Sequence, residues 1–334
     1  MRMNRRSFLA SAASLAAGAA AGMATPARPA WADDVSYPSR PVSLIVGAPP
    51  GGSNDIVARL LAERLTSDLK SPFLVDNRPG ASGARAAEYV TRLPRDGYAL
   101  LMANVATHAI NPILLPDSSF DPKRDSMPVA MLGKITNILV VNPKLPVRSV
   151  ADLIAYAKAH PGKLNFGSAG TGGSVHLAGE LFKLRTGVDI VHVPYRGSGP
   201  MVTDLMSGVC QLAFDNYPSS IGAVRAGSLR ALAVTSAERW PLAPDLPTME
   251  QAGVSNFDIT TWFGITARSS TPTPIIDKLH ASIEQIVRSP DFVKHLAAIG
   301  AVPFDLSRKA FASFIDEEHA RWKEIVKGAH VKIA

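Results

Sequence analysis

"GAPPGGSNDIVARLLAERL", residues 47–65, overlaps the end of the apolar run "PVSLIVGA" (41–48) and places a Pro/Gly-rich turn directly before an amphipathic stretch. The run reads as a strand, and Ile56, Val57, Leu60, Leu61 and Leu65 recur at helical spacing. The unit is therefore strand, turn, helix. Ser53 is expected to cap the helix, with Asn54 and Asp55 in its first turn. Capping alone does not call for Pro49-Pro50-Gly51-Gly52 ahead of it. A helix start exposes unpaired N–H groups and partial positive charge, and glycines let a second molecule approach that backbone. The stretch thus points to an anion held at a helix N-terminus.

The same alternation continues along the chain. "FLVDN" and "YALLMAN" read as strands, with a helix over Ala84–Leu93 between them. Then come strand "NILVVNP", helix "VADLIAYAKAH", strand "LNFGSA", helix "SVHLAGELFKL", strand "DIVHVPY", helix "GPMVTDLMSG", and strands "QLAFDN" and "LRALAVTS". Strands alternating with helices imply an α/β fold with mainly parallel sheets. "GSAGTGGSVH" (167–176) echoes the opening turn, so two similar halves would face each other across a cleft. The end of the chain is mostly helical, with "FDITTWFGITAR" and "AVPFDL" as strands, and is expected to return to the first half. Crossings near Thr136–Asn137 and Thr260–Trp262 divide the chain into a first lobe (38–136 and 261–334) and a second lobe (137–260).

Residues 1–32 read differently. Arg5-Arg6, an Ala-rich apolar stretch and Ala30-Trp31-Ala32 have the layout of a twin-arginine export signal. An ordinary export signal with two arginines is the alternative. Without that segment the formal charge of +7 falls to +3, from 31 basic and 28 acidic residues. No basic cluster with interleaved aromatics remains for nucleic acid. Cys210, the only cysteine, reads as core and leaves no intrachain disulfide. The eight histidines form no His-Glu-x-x-His motif, so no metal or other cofactor is expected.

The remaining motifs favour binding over catalysis. "GSAGTGGSVH" ends without the Lys of a phosphate-binding P-loop and does not fit Gly-x-Gly-x-x-Gly, so a small oxyanion suits it better than a nucleotide. Ser168 and His176 lack a Gly-x-Ser-x-Gly elbow and an orienting acid, and His176 is expected to pack or bond locally in a first helical turn. In "VPYRGSGP" (193–200), Tyr195 either donates to a ligand or covers the core, and Arg196 reads as a solvated charge.

"PPGGSNDIVARLLAERL", "VDNRPGASG", "PRDGYALLMAN", "FGSAGTGGSVHLAGELF", "VPYRGSGPMVTDLMSG", "LRALAVTSAERWPLAPDLPTMEQAG" and "WFGITARSSTPTPIIDKL" together resemble the Bug receptors, solute-binding proteins of tripartite tricarboxylate transporters. The resemblance implies a two-lobed periplasmic-binding-protein-like fold of type II and a periplasmic, monomeric receptor. It implies a small carboxylate ligand and membrane transporter components as partners. It places ligand contacts at Pro50, Gly51, Gly52, Ser53, Asp55, Thr107 and His108 of the first lobe. Ser168, Gly170, Thr171, Ser174, Tyr195, Gly197 and Asp215 follow from the second. Asn54 falls at a variable position, and "ARSSTP" departs from the family's "APAGTP". Asp215, after the strand "CQLAF", is expected to choose between amino-acid and plain dicarboxylate ligands, or else to cap the next helix. A ligand-presenting partner of a sensor and a secreted hydrolase are the competing functions.

Overall fold

Strand β1 (Val42–Val46) is almost wholly buried because helices cover both of its faces, and its apolar residues run on without alternation for that reason. It pairs in parallel with β2 (Phe73–Asn77) and β3 (Ala99–Asn104). A second parallel set has β5 (Leu164–Ser168) between β6 (Ile190–Pro194) and β7 (Leu212–Asn216). Two long strands join the sets: β4 (Ser126–Val141) and β9 (Thr260–Arg268). The order is β2-β1-β3-β9-β4-β7-β5-β6, with β8 (Arg230–Val234) and β10 (Val302–Pro303) also pairing with β4. The structure, a computed structural model, describes residues 37–328, so the export signal expected over residues 1–32 lies outside the described residues.

The helices follow from the spacing of apolar residues. In α1 (Ser53–Leu69), Val57, Ala58, Leu61, Ala62 and Leu65 are buried. They pack against β1 and against Ile276, Leu279 and Ile283 of α7 (Thr273–Arg288). Ile56, expected on that stripe, is turned outward, and the smaller Ala58 takes the inner position. The remaining long elements are α2 (Ala84–Val90), α3 (Val150–Ala159), α4 (Ser174–Thr186), α5 (Ser198–Ser207), α6 (Tyr217–Arg225), α8 (Pro290–Ala298) and α9 (Arg308–Gly328). Phe311, Ile315, Trp322 and Val326 of α9 share a core with Leu177, Leu181 and Phe182 of α4 and with Trp262 of β9. The C-terminal helix therefore packs on residues of both halves.

The structure has the expected α/β fold with its two parallel sets, and adds two long antiparallel strands and a different strand length. Every pairing made by β4 and β9 is antiparallel, so the sheet is mixed. The reason is topological: a chain that crosses between two parallel sets and later returns runs in opposite directions. The strand "NILVVNP" is only the end of β4, which starts at Ser126. Pro128, Gly133 and Lys134 hid the earlier part, and the register shifts fall between Pro128 and Ala130 and between Met131 and Gly133. Along β4, Ser126 to Thr136 pair with β9, whereas Asn137 to Val141 pair with β7 and β8.

Candidate ligand-binding site

The turn before α1 rests on one glycine, Gly51, in a conformation that other residues rarely adopt. Gly51 has φ 81°, and Gly52, the residue before the helix, is extended at φ −76° and ψ 163°. Gly52 rather than Ser53 occupies the capping position, and no side chain caps the helix. The expected Ser53 cap is thereby corrected: Ser53 is the first helical residue. Behind the turn, Asp55 Oδ2 accepts the Gly51 N–H at 2.9 Å and Arg59 Nε at 3.0 Å, while Oδ1 accepts Asn77 Nδ2 at 2.9 Å. Asn77 also donates to the Ala48 carbonyl at 3.0 Å. Burial alone would raise the Asp55 carboxyl, but Arg59, the Gly51 N–H and Asn77 outweigh it and hold it below the usual range. An ionised carboxylate thus fixes the loop from inside and leaves the Ser53 and Asn54 N–H groups unpaired among the described residues.

That turn lines a cavity of about 560 Å³. Its wall also carries the starts of α5 (Gly197, Ser198, Gly199) and α6 (Asn216, Ser219), so three helix N-termini meet at one space. Each contributes partial positive charge and unpaired donors. Asn104 holds α1 in place: its Nδ2 donates to Asn54 Oδ1 at 3.0 Å, and its Oδ1 accepts the Thr107 N–H at 3.0 Å. Among the lining residues, Arg196 is the one ionisable side chain, and no carboxylate faces the cavity. A second cavity of about 350 Å³ differs. Lys134, Arg239 and Arg321 share its wall with Glu238, Asp258 and Glu318, so it offers an anion no net attraction.

The structure brings Pro50, Gly51, Gly52, Ser53 and Gly197 to the larger cavity, and keeps the other anticipated contacts off its wall. Asp55 is the internal brace already described. Thr107 and His108 are buried, joined at 2.8 Å, and support Asn104 from behind. Burial pushes the His108 imidazole down to about 3. Ser168 is fully buried, donates to the Gly170 carbonyl at 3.0 Å, and lies 2.7 Å from His192 Nε2. His192 stacks on His176 at 3.9 Å, and both are pushed down to about 4, chiefly by burial. Ser168 has no exposure, and neither it nor His192 lines the cavity.

Ser174 is engaged elsewhere, its Oγ 3.0 Å from Thr261 Oγ1, whereas the Thr171 carbonyl accepts Oγ of Ser82, a residue of the cavity wall. Tyr195 donates to Asp204 at 2.9 Å, with burial and that partner pushing its phenol up. Asp215 is fully buried, accepts Ser198 Oγ on one oxygen and Ser220 Oγ on the other, both at 2.6 Å, and is pushed up by that burial. It ties α5 to α6 and is not among the residues that line the cavity. Sequence reasoning missed Ser82, Asn104, Arg196, Ser198, Asn216 and Ser219 on the wall. The strand-to-helix joint "FDNYPSS" was the readable signal for the last two.

Residues 57–331 match the family described as tripartite tricarboxylate transporter family receptor (TctC). The chain belongs to this receptor family. This TctC receptor is 39% identical over 316 residues to protein BugT of Bordetella pertussis, covering 94% of this chain and 95% of that one. It is similar in structure to Rpa4515 of R. palustris, solved with adipate (TM-score 0.84, 40% identity, 89% of this chain and 99% of that chain). It is likewise similar to MatC (Rpa3494) of Rhodopseudomonas palustris, solved with bound malate (TM-score 0.79, 30% identity, 87% and 100%). The receptor thus has the α/β fold of periplasmic binding proteins of the TctC type.

Proposed function

We propose that this receptor captures a small carboxylate in the periplasm and delivers it to the membrane components of a tripartite tricarboxylate transporter. The observation that carries the reading is the meeting of three helix N-termini on one cavity whose wall holds no acid. Adipate and malate in the two relatives agree with that electrostatics. The chain works as two lobes, 38–136 with 261–334 and 137–260. The change of β4 partners between Thr136 and Asn137 supports that division, although α9 packs on residues of both. Pro50, Gly51, Gly52, Ser53 and Gly197 touch the ligand, joined by Asn104, Ser198 and Asn216. Export follows the twin-arginine route, on the strength of Arg5-Arg6 and the Ala30-Trp31-Ala32 site. No helix among the described residues is long and apolar enough to cross a membrane.

A thermal-shift screen tests the reading. A ligand at a hundred times its dissociation constant adds about 2.7 kcal/mol, which is readily seen as a raised midpoint. Small carboxylic acids are expected to raise it, and the corresponding amides and sugars are not. Stabilisation by sugars with no response to any acid would overturn the assignment.

A further inference from the structure

Arg196 stands at the cavity with no charge opposite it. It follows β6 and precedes Gly197, whose φ of 117° turns the chain into α5. Its side chain is exposed, lines the cavity, and makes no ion pair or side-chain hydrogen bond among the described residues. The two nearby acids in sequence are already committed, Asp204 to Tyr195 and Asp215 to Ser198 and Ser220.

The cavity therefore has two groups of donors on different parts of its wall. One is the start of α1, with the free Ser53 and Asn54 N–H groups beside Asn104. The other is Arg196 with the start of α5. A monocarboxylate can neutralise only one of them. A guanidinium is planar, permanently charged, and accepts a carboxylate across two parallel hydrogen bonds. An amino acid would bring its ammonium to a wall that holds no carboxylate.

Resting on the carboxylate reading of this site, we propose that Arg196 takes the second carboxylate of a linear dicarboxylate. It makes the receptor selective against monocarboxylates and amino acids.

Calorimetric titration with adipate, hexanoate and glutamate, against the wild type and the variants Arg196→Gln and Arg196→Lys, tests the proposal. The wild type is expected to bind adipate at least about tenfold tighter than hexanoate or glutamate. Arg196→Gln should bring adipate down to the affinity of hexanoate and leave hexanoate within about twofold. Arg196→Lys should recover part of the difference, because it restores charge without the planar fork. Equal weakening of adipate and hexanoate in Arg196→Gln, or unchanged adipate binding, overturns the role of Arg196 while leaving the carboxylate site standing. A wild type that binds none of a broad set of acids overturns the site itself.

Discussion

The two glycine turns that open α1 and α4 have nearly the same backbone and different braces. Gly51 and Gly172 have φ of 81° and 80°, and the next residues, Gly52 and Gly173, lie at −76°/163° and −84°/168°. In each, the first glycine donates its N–H to a side chain four residues on: Asp55 at 2.9 Å, His176 at 3.1 Å. The brace is a carboxylate in one case and a neutral imidazole in the other. Gly51, Gly52 and Ser53 face the cavity, whereas Ser174 is bonded to Thr261 and the Thr171 carbonyl to Ser82. What lies around the free N–H groups of a helix start, and not its glycines alone, decides whether a ligand can reach them.

Removing the braces separates the two turns most strongly. Asp55→Ala leaves the Gly51 N–H without its acceptor and takes one of two acceptors from Asn77 Nδ2, at a cost of about 2–4 kcal/mol in stability. It should also weaken an acid ligand more than about tenfold, because the cradle loses its shape. His176→Ala should lower stability and leave affinity within about twofold. Denaturant unfolding and calorimetry on both variants check this, and equal losses of affinity would erase the distinction.

A smaller effect is expected from branched residues at the capping glycines. A Cβ at Gly52 would meet only the Pro49 carbonyl at 3.5 Å, and one at Gly173 would meet nothing within 4 Å, so the fold should accept both changes. Gly52→Val should weaken an acid by about tenfold through obstruction of the free N–H groups, and Gly173→Val should leave affinity within about twofold.

The smallest effect concerns acid sensitivity. His176 and His192 are neutral in the folded chain, with pKa values near 4, and the unfolded chain takes up protons there from about pH 6.5 downward. Stability held around the second turn is therefore lost as pH falls from about 6.5 toward 4. Asp55 has its pKa lowered by folding, so its contribution is complete above the unfolded value and is lost only as pH falls through the folded one. Amide exchange at pH 7.5 and 5.5, corrected for intrinsic rates, should show α4 losing protection while α1 keeps it. Loss at α1 first would reverse the ranking of the two braces.

The sequence made the strand-turn-helix units legible because apolar periodicity and paired glycines are local properties. The contacts that the resemblance implies at Ser168, Tyr195 and Asp215 lie off the cavity wall, where each side chain has a partner that only the fold places beside it. His192, Asp204 and Ser220, which occupy them, lie 24, 9 and 5 residues away. Asn104 and Arg196 were missed for the converse reason. Asn104 acts through Asn54, 50 residues distant, and Arg196 stands on the cavity wall with no acid beside it. The first part of β4 was hidden by Pro128 and Gly133, which the sheet absorbs as bulges.

A crystal structure of the complex with adipate tests the central claim most directly. A carboxylate of the ligand should lie within about 2.7–3.2 Å of the Ser53 and Asn54 N–H nitrogens, directly or through one water, with Asp55 still turned to Gly51. Adipate seated instead against the Gly172–Ser174 turn, or in the cavity lined by Lys134 and Glu318, would contradict it.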